Sequence, residues 1–226
     1  MSDKTESPGI TGKIREKLVR TKQKWAREGR ALTGKAVTEK EGRDRLPPGQ
    51  RLVTDWPILD LGIQPDVPRA AFSLTIDGLV EKPLIWDWDA FMAQPQAEDI
   101  SDMHCVTTWS RYDNHWRGVS AAHVLAAVKP APEVSHVIFH SHDGYTTNVT
   151  LDMFAAPDVL LAHSWEGAPI AREHGGPVRI IMPQFYLWKS AKWLRRIEFR
   201  NADAPGFWEV RGYHNIGDPW KEERYG

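Results

Sequence analysis

From residue 46 onward the chain is built of short runs of alternating side chains separated by turn-forming residues, and this rhythm limits the possible folds more than any other feature. In "FSLTI", residues 72–76, Phe72, Leu74 and Ile76 fall on one face of an extended segment. "DG" at 77–78 then predicts a turn. "HVIFHS" predicts a strand, "HDG" its turn and "YTTNVTL" a return strand, while "PVRIIMP" and "LRRIEFR" predict strands further on. Helices are short and few: Ser120 is placed to cap "AAHVLAAV", and Asp152 to cap "MFAAP" before Pro157 interrupts it. Many strands with scattered helices predict an α+β domain and not a series of βαβ units. No internal repeat or low-complexity run is present.

"LPPGQR" at 46–51 sets the boundary of this domain, because paired prolines stop a helix and favour extended chain. Charge divides at the same place. Residues 1–45 carry 13 Lys+Arg against 7 Asp+Glu (+6), and residues 46–226 carry 16 against 23 (−7). The expected organisation is a basic, partly helical N-terminal tail (1–45) and one domain (46–226) large enough to bury a substantial core. In the tail, Ile14, Leu18 and Trp25 fall near one side of a helix. The expected role is a solvated arm packed loosely on the body, with contact to an anionic partner or membrane surface as the alternative. No nucleic-acid partner is expected. The lack of a signal-peptide core or an apolar run of about 18 residues predicts a soluble cytoplasmic protein.

Cys105 is the only cysteine, which excludes an internal disulfide. Three roles remain: small buried hydrophobe, nucleophile or soft metal ligand, and the last two require the thiolate. His104 and His115 are candidate bases for a nucleophile. "HSH" at 140–142 puts two imidazoles on one face of a strand, a weak zinc signal without C-x-x-C or H-E-x-x-H. His123 and His163 read as packing or surface residues. The segment "REHGGPVRIIMPQFYLWKSAKWLRRIEF" carries more information. Gly175 and Gly176 permit close approach to a ligand, Arg179 follows, and Lys189, Ser190 and Lys192 offer charge and hydroxyl donors to a phosphate. Neither G-x-G-x-x-G nor a G-x-x-x-x-G-K-[ST] phosphate loop occurs.

Five segments occur together in order over roughly residues 46–220: "LTIDGLVEKPL", "HCVTTWS", "GVSAAHVL", "HGGPVRIIMPQFYLWKSAKWLRRIEF" and "PGFWEVRGYHNIGDPW". In these the chain resembles the sulfite oxidase-type molybdopterin oxidoreductases, above all small bacterial members without other domains. The C-V-x-x-W-S form around Cys105 is similar to that of the catalytic subunits of bacterial periplasmic methionine sulfoxide reductases.

The resemblance implies the molybdopterin-binding fold of that family, mixed β-sheets with scattered short helices. It implies that Cys105 ligates molybdenum beside the dithiolene sulfurs of a single pterin. By motif position, His174, Arg179, Leu187, Trp188 and Lys189 match cofactor contacts, Leu187 and Trp188 chiefly through backbone groups. Ser141 matches a further hydroxyl contact, with His140 as its rival if the alignment slips by one, and Asp55, Trp56 and Pro57 fall where the family covers the pterin. Arg111, Arg117 and Tyr186 are candidates to line a substrate pocket, with surface salt bridging open for either arginine. Sulfite oxidases proper place an arginine pair shortly after the cysteine, where Trp109 and Ser110 stand here, so sulfite specificity does not carry over.

The implied function is oxygen-atom transfer to or from a small sulfoxide, N-oxide or sulfite-type substrate. No haem or flavin is expected, so electrons pass through a separate donor or acceptor protein. Two alternatives stay open, a hydrolase using Cys105 as nucleophile and a non-catalytic molybdopterin carrier.

Overall fold

The computed structural model describes residues 10–29 and 43–226. In chain order its strands are β1 (Arg51–Leu52), β2 (Ser73–Gly78), β3 (Leu84–Asp87), β4 (Gln96–Cys105), β5 (Trp109–Ser120), β6 (His136–Ser141), β7 (Thr146–Thr150), β8 (Leu160–Trp165), β9 (Ala168–Pro169), β10 (Arg179–Ile181) and β11 (Leu194–Arg200). The helices are α1 (Ile10–Arg27), α2 (Trp88–Met92), α3 (Ala121–Val128) and α4 (Leu151–Phe154). They form the expected α+β architecture of mixed sheets with short helices.

One sheet runs β3-β2-β11-β6-β7, with β2 and β11 parallel and the other neighbours antiparallel. Leu74 and Ile76 of β2, Ile197 and Phe199 of β11 and Phe139 of β6 are buried, as the alternation predicts. Phe154 of α4 closes this face, with its ring 5.7 Å from Phe139 and 6.0 Å from Phe199. The other sheet centres on β5. β4 pairs antiparallel along one edge of β5, while its other edge takes β1 in parallel at Trp109–Ser110 and β8 antiparallel from Trp116 to Ser120. β10 and β9 extend that sheet through β8.

Several local expectations shift. Asp77 and Gly78 do not form the turn after "FSLTI"; they end β2, and the chain turns at Leu79–Lys82. Gly78 is at φ +96°, and a Cβ there would stand 2.2 Å from the carbonyl oxygen of Phe199, so parallel pairing with β11 requires a residue without a side chain. Ser120 caps α3 by accepting from the His123 amide at 3.2 Å. The cap of α4 is Thr150 and not Asp152; its hydroxyl accepts from the Met153 amide, and Asp152 lies within the helix. "HDG" turns the chain between β6 and β7 as predicted.

The tail helix α1 is not a loosely packed arm. Val19 and Ala26 are buried, the Gln23 side chain donates to the Arg211 carbonyl at 3.0 Å, and the Tyr225 hydroxyl donates to the Gln23 carbonyl at 2.9 Å. Ile14 lies on the exposed side, and the inward stripe runs instead through buried Val19, half-buried Lys22 and buried Ala26, at helical spacing. Among the described residues no helix is long and apolar enough to cross a membrane.

Candidate cofactor cavity

The β4–β5 hairpin places the thiol. Cys105 ends β4 and pairs with Trp109, the first residue of β5, across a loop of Val106, Thr107 and Thr108. Thr108 takes φ 72°, and its amide donates to the Cys105 carbonyl at 2.9 Å, closing a three-residue hairpin loop. Neighbouring strand residues point to opposite faces, so His104 and Cys105 part company. His104 Nδ1 lies 2.8 Å from Ser110 Oγ, and burial drives its pKa down to about 4. Cys105 Sγ faces a cavity of about 850 Å³, counting its open mouth, and lies 3.1 Å from the Thr107 hydroxyl.

Segments distant in the chain form the other walls. Trp56, Pro57 and Asp60 come from the stretch before β2, Ser141 from the end of β6, Arg179 from β10, Leu187 and Trp188 from a short 3₁₀ turn, and Ser190 and Lys192 from the residues after it. Trp208 and Tyr213 close one side, and Lys22 reaches in from α1.

Three cations face this space. Arg179 is buried and donates only to the carbonyls of His174 (2.8 Å), Ser190 (2.9 Å) and Ile180 (3.3 Å), with its guanidinium 5.2 Å from the Trp56 ring centre. No carboxylate pairs with it among the described residues, and burial alone pulls its pKa to about 9. Lys192 Nζ donates to the carbonyls of Glu173 (2.7 Å) and Leu59 (2.9 Å), and burial, then Arg179, lower it to about 7. Burial takes Lys22, which donates to the Asp60 carbonyl, to about 8. Burial pushes the Cys105 thiol up, opposed by its hydrogen bonds with Thr107 and by the charges of Lys22 and Lys192. Two carboxylates answer the three cations: Asp143, raised by burial, and Asp60, which burial would raise but hydrogen bonds from Gln64 and Gly62 hold low.

Such a cavity favours an anion that brings its own acceptors. Buried cations without anionic partners are costly, and an anionic ligand would relieve that cost. Ser141 Oγ and Trp109 Nε1, both on cavity-lining residues, are buried without a hydrogen-bond partner. A ligand entering the cavity with complementary groups would satisfy them. No group of three His, Cys, Asp or Glu residues able to hold a metal exists among the described residues, so a metal here would arrive with most of its ligands supplied by something other than the protein.

The structure sorts the sequence candidates. Cys105, Trp56, Pro57, Ser141, Arg179, Leu187 and Trp188 line the cavity together. Of the rivals Ser141 and His140, only Ser141 faces it; His140 Nε2 sits 2.9 Å from Glu198 Oε2. His174 stands behind the wall, its ring stacked 3.9 Å from that of Trp56 and its pKa lowered to about 4 by burial, Arg179 and Lys192. Asp55 is not on the lining.

Lys189 is misplaced by the sequence reading. Its ammonium is fully buried 2.6 Å from Glu209 Oε1 and donates to the Asn148 carbonyl at 2.8 Å, away from the cavity. Lys192, three residues on, takes the position in the wall. Neither Arg111, Arg117 nor Tyr186 lines the cavity. Arg111 pairs with Glu166 at 3.1 Å over the Trp165 ring, Arg117 is exposed on β5, and the buried Tyr186 accepts at its hydroxyl from Arg224 Nε at 3.1 Å. Lys22 and Asp143 carry no local sequence signal for this site, while Asp60 ends "DWPILD" and Tyr213 lies in "PGFWEVRGYHNIGDPW" without being singled out.

Three comparisons bear on these observations. The family described as oxidoreductase molybdopterin binding domain matches residues 61–208. The oxidoreductase YuiH of Bacillus subtilis is 43% identical over 80% of this chain and 92% of its own length. The methionine-sulfoxide reductase catalytic subunit MsrP of Ralstonia nicotianae is 28% identical over 65% of this chain and 49% of its own. Among solved structures, the sulfane dehydrogenase SoxCD of Paracoccus pantotrophus superposes with a TM-score of 0.58 at 17% identity, covering 89% of this chain and 50% of that one, a likeness of fold. The chain therefore spans nearly all of YuiH but about half of the other two.

Proposed function

The chain belongs to the oxidoreductase molybdopterin-binding family, and on that premise we propose that its cavity holds molybdenum carried by a single pterin, with Cys105 as the protein's own ligand to the metal. The observation that carries this reading is a buried thiol sharing one cavity with a buried guanidinium that has no carboxylate partner among the described residues. The donor set suits such a group. A thiolate is a soft ligand, Arg179 and Lys192 offer cationic donors to a phosphate, and Ser141 Oγ and Trp109 Nε1 offer unused polar groups to a heterocycle.

When bound, the cofactor would supply oxygen-atom exchange with a small sulfoxide, N-oxide or sulfite-type substrate, its electrons passing to or from a separate redox partner. The protein's share is binding and electrostatics. Burial disfavours the free thiolate of Cys105, and Lys22, Lys192 and the Thr107 hydroxyl favour it. Trp56, Leu187 and Trp188 supply apolar walls that limit water.

The hydrolase alternative loses support from the same geometry. The hydrogen-bond partner of Cys105 Sγ is Thr107 and not an imidazole, His104 points to the opposite face against Ser110, and His115 lies on the exposed side of β5. Protein made in a host competent for molybdopterin synthesis should carry about one molybdenum per chain, turn over with artificial electron carriers, and lose most of that activity as Cys105→Ser, because a hydroxyl is a harder and less acidic ligand. Zinc as the only metal, or full activity in the serine variant, would refute the proposal. Loaded protein without turnover would leave a carrier.

A further inference from the structure

The family match begins at residue 61, yet one wall of the cavity comes from α1, nearly forty residues earlier in the chain. The helix is fixed in place. Its Val19 and Ala26 are buried, Gln23 is bonded to both Arg211 and Tyr225, and the hydroxyl of Thr108, in the Cys105 hairpin loop, lies 3.1 Å from the Gly29 carbonyl oxygen. Gly62 shows how close the packing is: a Cβ there would stand 2.9 Å from Leu18 Cδ1. From this helix Lys22 extends into the cavity, where the Asp60 carbonyl accepts one of its hydrogens.

Lys22, Lys192 and Cys105 line the same cavity, and of the charges that favour the thiolate Lys22 comes first and Lys192 second. An ammonium has three donors, and the Asp60 carbonyl uses one of them; the Asp60 carboxylate, which accepts from the Gly62 amide and the Gln64 side chain, is the leading charge acting on Lys22.

We propose that Lys22, delivered by α1 from outside the matched domain, is the anion-binding residue at the Cys105 end of the cavity and selects for a negatively charged group in front of that thiol. This rests on the cavity being the working site described above. α1 is then a working wall of the site, and Lys22 sets which occupants are admitted beside the sulfur.

The test uses the full chain without cofactor, so that it reads the cavity directly. Cys105, the only thiol, is alkylated in parallel with iodoacetate and iodoacetamide, two probes of similar size that differ by one negative charge. At pH 7 the Lys22 ammonium prevails, since burial takes it only to about 8. In Lys22→Met and Lys22→Gln the ratio of iodoacetate to iodoacetamide rate should fall at least about fivefold, the factor one unit charge exerts at roughly 4 Å even under bulk-water screening. Lys22→Arg should restore it. An unchanged ratio in a folded variant, or both rates rising together, would overturn the proposal, because Lys22 would then be inert or only a steric wall. Molybdenum content is measured separately on protein from a cofactor-competent host. An empty wild-type protein would sink the molybdenum reading while leaving the alkylation result intact, and a constant ratio with full molybdenum would do the reverse.

Discussion

Arg179 and Lys189 come from one stretch of sequence, are both buried, and are predicted to behave differently when removed. Among the described residues the hydrogen-bond acceptors of Arg179 are carbonyls, and it faces the cavity, so Arg179→Ala removes a donor that an anionic ligand would use. Bonds to charged groups contribute about 1.5–3 kcal/mol, which predicts roughly ten- to a hundredfold weaker retention of pterin and molybdenum with activity per bound metal largely kept. Lys189→Ala instead strands Glu209, whose Oε1 also accepts from Trp188 Nε1 and Thr147 Oγ1. Breaking a buried pair of this kind costs about 3–5 kcal/mol, read as a lower urea midpoint. If Lys189→Ala kept its stability and lost only cofactor, the assignment of the two cations would be inverted. His104 gives a pH prediction. Its pKa falls on folding from 6.5 to about 4, so protonation favours the unfolded chain. The stability it contributes is present above pH 6.5 and is lost as pH falls toward 4, about 2 kcal/mol of it between pH 7 and pH 5. Urea midpoints at those two pH values should therefore draw closer together in His104→Asn, and an unchanged gap would contradict a neutral buried ring.

Among the elements, the β4–β5 hairpin does most to build the site, and its strands are among those the sequence did not mark. "QAEDISDMHC" is largely polar because one edge and much of one face of β4 meet water, so its apolar alternation is faint. β2 and β11 bury alternate residues and β6 buries the apolar run Val137, Ile138 and Phe139, and they were legible for that reason. Gly78 tests the account of β2. Ala there would be held at positive φ with its Cβ against the Phe199 backbone, costing about 1–3 kcal/mol from backbone strain before any separation of β2 from β11. Ser120→Ala, which removes only the α3 cap, should cost about 1 kcal/mol and serves as the comparison. A Gly78→Ala midpoint at or above that of Ser120→Ala would show that the strand end yields without difficulty.

For the whole molecule, the cavity is where both sheets, the tail helix and the C-terminal segment meet, with walls running from Lys22 to Tyr213. A ligand held there stabilises everything it touches. Bound at about a thousand times its Kd, it adds about 4 kcal/mol, which for a domain of this size raises Tm by roughly 8–16 °C over the cofactor-free chain. Scanning calorimetry of loaded and cofactor-free protein should show that gap, and Arg179→Ala should narrow it. Equal midpoints in fully loaded and empty wild-type protein would mean that the folded chain holds the ligand no more tightly than the unfolded chain does.

What the sequence determined by itself was local or carried by motif order: the alternation of the buried strands, the Ser120 cap, the unique thiol, and the ordered segments that mark the family. These need only period, capping chemistry or the succession of residues along the chain. Which cation faces the cavity was decided by tertiary structure. Leu187–Lys189 form one 3₁₀ turn, and the orientation of that turn depends on Glu209, twenty residues on, which draws Lys189 inward and leaves Lys192 for the cavity. Lys22 is a stronger case, since no spacing in the chain links it to Cys105, and they meet only because α1 packs beside the hairpin loop. A buried charge goes where a partner exists, and partners distant in sequence are brought together only by the completed fold.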